Sequence, residues 1–179
     1  VLHPADRRQR QRGIRDSENR ATNPDLDERH FRMMARPRPF ELRTMKPLTT
    51  ETGSHQYQWF KLRAPIGDDP MLHRAALAFA SDMGLLSTSM LPHGLTWASK
   101  GVLSTSLDHA MWFHRDFRFD QWMLYDTDSP IANGARGFCR GSFFTTDGVL
   151  MASVAQEGLI RAPLDDNGKV LPLPATPDA

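Results

Sequence analysis

Cysteine is nearly absent: Cys139 is the single one among 179 residues. That excludes an internal disulfide and any thiolate-built zinc cage, and nothing in this usage requires an oxidising compartment. Excess charge is absent as well, since 22 Lys and Arg face 21 Asp and Glu for a net of +1. Charge therefore points to no nucleic acid and no anionic membrane surface. Apolar runs such as Ala75 to Ala80 fall far short of the roughly 20 residues a spanning helix needs, so no membrane span is expected. The start, Val1-Leu2-His3-Pro4-Ala5-Asp6, has no basic region leading into an apolar core, and no initiator Met. No secretory signal is read there, and the chain is expected to begin partway through a longer protein. Gly134-Ala135-Arg136-Gly137 lacks the lysine of a phosphate loop and the spacing of a dinucleotide fingerprint, and no Gly-x-Ser-x-Gly elbow occurs. No cofactor and no metal are expected.

What is present is one medium domain between two weak ends, with 40% hydrophobic residues. Residues 1–35 hold Arg7, Arg8, Arg10, Arg12 and Arg15, then Asp16, Glu18, Asp25, Asp27 and Glu28, a solvated linker or extension. Residues 162–179 carry Pro163, Pro172, Pro174 and Pro177 and read as a flexible tail. Residues 36–161 between them form the domain. Alternation over 39–43 and 55–63 predicts two strands, with Gln58, Phe60 and Leu62 on one face and Tyr57, Trp59 and Lys61 on the other. Asp68-Asp69-Pro70 then supplies acidic N-cap candidates and a proline suited to the first helical position. Met71, Leu72, Ala75, Ala76, Phe79, Ala80 and Met83 recur at helical spacing, which predicts a helix of about four turns facing the core with them and ending near Gly84. Strands are expected over 102–114, 121–126, 135–145 and 149–161, the last two joined by an Asp147-Gly148 turn. The simplest solution is α+β, one long helix on a strongly bent antiparallel sheet.

Few residues carry chemistry by spacing alone. His109 and His114 lie five apart on one predicted strand, so they face opposite sides and cannot share a metal; they read as structural histidines. On an unbroken strand Ser106 and Asp108 share one face, with His109 on the other, and adjacent Asp108 and His109 point apart. Asp82 sits at the helix end, where an acid meets the negative pole of the helix macrodipole. Gln156 is an amide on the face of Leu150, Ala152 and Val154, where it needs partners.

Several ordered stretches then coincide with one family. Ser106-Leu107-Asp108-His109-Ala110-Met111-Trp112-Phe113-His114-Arg115, Trp122-Met123-Leu124-Tyr125, Asp128-Ser129-Pro130, Ala135-Arg136-Gly137 and Val154-Ala155-Gln156-Glu157-Gly158-Leu159-Ile160-Arg161 resemble the type II, TesB-like acyl-CoA thioesterases. The resemblance runs from about Phe31 to Arg161 and covers the C-terminal half of a family built as two hotdog domains in tandem. It implies a hotdog fold, a central helix wrapped by a curved antiparallel sheet, and hydrolysis of acyl-CoA to fatty acid and CoA. It also implies a catalytic set of Asp82, Ser106 and Gln156 that orients and activates one water, with Asp82 as proton acceptor. Oxyanion donors are expected from backbone amides near an Asp128–Gly137 loop or from a facing helix. Partners implied are acyl-CoA and a second hotdog, supplied by self-association or by another domain, and a cytoplasmic setting is the default. Met71, Leu72, Phe79, Trp112 and Phe113 are weighed as an acyl channel against ordinary core. Two other readings stand beside hydrolysis: an acyl-binding or structural hotdog without turnover, and a hotdog enoyl-CoA hydratase using Asp108 and His109.

Overall fold

The computed structural model describes residues 37–45, 55–97, 99 and 101–162. The charged segment over 1–35 and the tail beyond residue 162 lie outside them. Within them the order is β1 (Phe40–Thr44), β2 (His55–Leu62), α1 (Pro70–Ser81), a 3-10 helix (Leu86–His93), β3 (Leu103–Ser106), β4 (Ala110–Phe113), β5 (Met123–Asn133), β6 (Arg136–Thr145) and β7 (Leu150–Arg161). All strands join one antiparallel sheet in the order β1-β2-β5-β6-β7-β3, with β4 beside β3 on the same edge of β7. The helix lies across its inner face, as the family resemblance implies. Among the described residues no helix is long and apolar enough to cross a membrane.

Local chemistry accounts for the elements. Asp69 caps α1 by accepting from the Met71 N–H (2.9 Å), and Pro70 opens the helix, where its missing N–H costs nothing. Gly84 takes the left-handed φ of +83° that lets the chain leave the helix. The 3-10 helix that follows was not expected. Its Ser87, Thr88 and Ser89 are buried, and it lies so close to the sheet that a Cβ at Gly137 would strike Ser89 and one at Gly158 would strike Leu86. Short polar side chains fit there because they bond locally, Ser89 Oγ donating to the Leu86 carbonyl (2.7 Å) and Ser87 Oγ to that of Gly84 (2.5 Å).

The core sits between α1 and the middle of the sheet. Tyr125 and Phe143 stack at 3.9 Å between centroids and 6° between planes, with Phe60 edge-on to both. From α1 it receives His73, Leu77, Ala80 and Ser81. That corrects the expected helix face in part: Ala80 is buried and Ala76 and Met83 pack against the core as expected, whereas Met71, Leu72 and Phe79 are 63%, 50% and 56% exposed. The helix is apolar on two sides, and the sheet takes the side with the smaller residues, where the close approach of helix to sheet leaves little room.

One strand boundary also differs from expectation. β5 runs through Pro130 to Asn133, because the pairing with β6 shifts between Asp128 and Ile131 and the proline falls in that irregularity, where no ladder N–H is required. The expected Asp128–Gly137 loop is therefore the end of the β5–β6 hairpin. Its turn places Gly134 and Ala135 at φ +61° and +58°. The left-handed region costs an alanine about 1–2 kcal/mol, while glycine loosens the unfolded chain by about 0.4–1 kcal/mol, so Ala135→Gly is expected to stabilise by up to about 1.5 kcal/mol. A higher urea midpoint at unchanged slope checks this.

Candidate active site

The helix is pinned at both ends, and the pins place Asp82. At the N-terminal end the Phe119 N–H donates to His73 Nδ1 (3.1 Å), so Nε2 carries the ring proton and donates to the Gly67 carbonyl (3.0 Å). Arg118 grips Asp120 with two bonds (2.6 and 3.1 Å) and also reaches Asp68, just before the cap. At the C-terminal end the Tyr125 hydroxyl donates to the Ser81 carbonyl (2.8 Å). Burial pushes that phenol well above its ordinary range, so it stays protonated and remains a donor. Asp82 follows immediately as the C-cap residue and is exposed.

Ser106 and Gln156 meet it there. Ser106 Oγ donates to Asp82 Oδ1 (3.2 Å), and Gln156 Nε2 donates to the same oxygen (2.6 Å). The three residues expected from the resemblance thus come from a helix end, an edge strand and the strand beside it, and converge on one oxygen. Oδ2 of Asp82 enters neither bond. Gln156 is fully buried, and its Oε1 has no partner among the described residues. A buried acceptor without a donor costs about 1–3 kcal/mol, a cost that the two bonds from Nε2 must offset.

The edge strand is where the spacing argument fails. Ser106 pairs with Gly158 and Ala110 with Ala155, so Leu107, Asp108 and His109 face only Glu157 and Gln156. The Glu157 carbonyl accepts from both the Leu107 and Asp108 N–H (2.9 and 3.5 Å), while the Glu157 N–H donates to Asp108 Oδ1 (2.7 Å). This is a bulge with one extra residue, and it reverses the alternation beyond it. His109, expected on the face opposite Ser106, comes to the same side: Nδ1 lies 3.2 Å from Gln156 Nε2 and Nε2 lies 2.8 Å from Ser81 Oγ. The sequence did hold a signal. An aspartate inside an apolar strand is disfavoured unless its carboxylate bonds a neighbouring backbone N–H, as Asp108 does. His114 points away from the site to Ser153 Oγ (2.8 Å), and Asp108 and His109 point apart, both as expected.

The surroundings are open. Asp82, Ser106 and His109 are exposed. Met71, Ala75 and Phe79 run along the exposed side of α1 at four-residue spacing and lead to Asp82. Trp112 and Phe113 on β4 are exposed too. The five side chains weighed as channel or core are thus surface in this chain. The Asp128–Gly137 stretch lies elsewhere, with β7 between it and Ser106, at about 10 Å by strand spacing. It is therefore no neighbour of the Ser106 hydroxyl.

Comparison with known proteins agrees with this architecture. The acyl-CoA thioesterase family model matches residues 25–159. The chain is 38% identical over 148 residues to acyl-coenzyme A thioesterase 8 of Homo sapiens, covering 78% of this chain and 46% of that one. It is similar to the structure of the acyl-CoA thioesterase II TesB2 of Mycobacterium marinum, with 41% identity and a TM-score of 0.60 over 78% of this chain and 53% of that one. A hotdog-fold protein of Alicyclobacillus acidocaldarius, at 18% identity and a TM-score of 0.59, shares the fold over 92% of this chain. The chain spans about half the length of the first two relatives. With a family model that matches well over half of its length, the chain belongs to the acyl-CoA thioesterase family.

Proposed function

We propose that the chain is the hydrolytic hotdog of an acyl-CoA thioesterase, acting in the cytoplasm and releasing free fatty acid and CoA. In this reading residues 36–161 are the hydrolytic domain, between a charged linker over 1–35 and a proline-rich tail over 162–179. The observation that carries it is the pair of hydrogen bonds from Ser106 Oγ and Gln156 Nε2 to Asp82 Oδ1. They fix the carboxylate in one rotamer and leave Oδ2 to take a proton from a water. Ser106 Oγ supplies an acceptor that orients that water, while Gln156 acts through its bond to the carboxylate. As it attacks the thioester carbonyl carbon, its proton passes to Asp82 and a new C–O bond forms. The C–S bond then breaks, and the thiolate leaves and takes up a proton. A thiol of pKa about 8.5 departs with little acid assistance, so no strong acid is needed opposite Asp82.

An open site suits this chemistry poorly, because water must be excluded for oriented groups to act at full strength. The exposed stripe of Met71, Leu72, Ala75 and Phe79 and the β3–β4 edge, unpaired among the described residues, are surfaces a second hotdog would cover. The purified chain is accordingly expected to elute as a dimer or larger assembly in size exclusion with light scattering; a soluble monomer at high concentration overturns the pairing.

The same exposure favours a second reading, an acyl-binding or structural module without turnover. Release of free thiol from short, medium and long acyl-CoA separates the two: turnover supports hydrolysis, and a folded, paired chain without turnover overturns it. Water addition to a 2-enoyl thioester, the hydratase alternative, is followed in the same samples by loss of the conjugated chromophore.

A further inference from the structure

We propose that His109 is a positioning residue that holds the amide of Gln156 with its NH2 end toward Asp82; this rests on the hydrolytic reading of Asp82. A primary amide has two ends of nearly equal size, and only its partners decide which faces where. Gln156 Nε2 has two protons and two acceptors in reach, Asp82 Oδ1 at 2.6 Å and His109 Nδ1 at 3.2 Å. The amide nitrogen only donates, so Nδ1 must accept and the ring proton sits on Nε2. That proton goes to Ser81 Oγ (2.8 Å), whose own proton goes to the Ala78 carbonyl (2.8 Å). Ser81 is buried, and its carbonyl is held by Tyr125, so the tautomer of His109 is set by the helix end itself.

Asp82 cannot do this task alone. On accepting the water's proton it becomes a donor on one oxygen, and its claim on the Gln156 N–H weakens at the step where the water's partners must stay in place. His109 Nδ1 does not change during that step and keeps the amide from turning. The bulge at Leu107–His109 is what brings the ring there: regular alternation would leave it on the far face, and bulges commonly re-aim a side chain beside an active site.

The competing possibility is that His109 merely ties the edge strand to α1 through Ser81. Two amide substitutions part the roles. Asn places its Oδ1 near the position of Nδ1 and has nothing at Nε2; Gln reaches the Nε2 position and has no acceptor at Nδ1. His109→Ala and His109→Gln are expected to lower kcat by about 10–100-fold, with KM within about threefold of the parent, while His109→Asn restores most of the rate. A structural tie gives the reverse order, and equal rates for Asn and Gln also overturn the proposal. A second readout needs no turnover: the side-chain NH2 signals of Gln156, identified by their loss in Gln156→Glu, stay separate and slowly exchanging in the parent and His109→Asn. In His109→Gln the proton that His109 Nδ1 had held shifts toward the free-amide position and exchanges faster with solvent; unchanged signals there overturn the proposal. Retained turnover in Asp82→Asn would instead sink the hydrolytic reading, whatever the His109 variants show.

Discussion

Asp82→Asn is expected to lower kcat for thiol release by about 10²–10⁴-fold, the usual worth of a positioned proton acceptor. The substitution is nearly isosteric. An asparagine oxygen still accepts from Ser106 Oγ and Gln156 Nε2, so the local geometry persists and only the ability to hold the water's proton is lost. Asp82 is exposed at the end of α1, where a change of this kind alters stability by no more than about 0.5 kcal/mol. KM and the unfolding midpoint should therefore stay close to the parent values. A variant that turns over within about threefold of the parent would remove Asp82 from the proton-accepting role, because an amide cannot supply that rate.

Phe143→Ala should destabilise the fold by about 3–5 kcal/mol, as truncation of a fully buried aromatic does. Phe143 is fully buried and is the face on which Tyr125 stacks. Its loss leaves the Tyr125 ring without a floor on one side, and that ring carries the bond to Ser81 which fixes the helix end. Phe144, the next residue, points to the other face and is only partly buried, so Phe144→Ala should cost less than half as much. Urea unfolding at constant slope reads both. Equal losses would mean that the face assignment of β6 is wrong. Since whole domains are stable by about 5–15 kcal/mol, the Phe143 variant is also the one that can fail to fold at physiological temperature.

Much of the fold is legible in the sequence where one local rule acts alone. Asp69-Pro70 marks the helix start, Gly84 marks its exit, Asp147-Gly148 marks the β6–β7 turn, and alternation marks the inner face of β2 through Gln58, Phe60 and Leu62. The misread features are those where two rules compete. The single expected stripe merges two faces of the helix: Ala76, Ala80 and Met83 pack on the core, whereas Met71, Leu72 and Phe79 stand on the exposed side. Ser87, Thr88 and Ser89 carry no apolar signal, yet they are buried because the two serine hydroxyls bond the preceding turn and that of Thr88 meets the Thr127 hydroxyl. Pro130 looks like a strand end, yet falls in an irregularity. The site divides in the same way. Asp82, Ser106 and Gln156 come from ordered motifs, whereas His109 depends on a ladder irregularity that spacing alone does not count.

That irregularity gives the edge strand a parity. From Ser106 to His109 is an odd step, and in a regular ladder odd steps separate the faces; the inserted residue makes the odd step behave as an even one. Length, and not only composition, is thus under constraint at positions 107–109. Removing one residue there would read on an alignment as a minor gap. It would turn the imidazole to the far face, bring a different side chain beside Gln156, and unseat the carboxylate of Asp108 from the Glu157 N–H. Comparable gaps in the β6–β7 turn would only reshape a surface loop. Where insertions and deletions are tolerated along this chain should therefore follow the ladder's count more closely than the exposure of the residues.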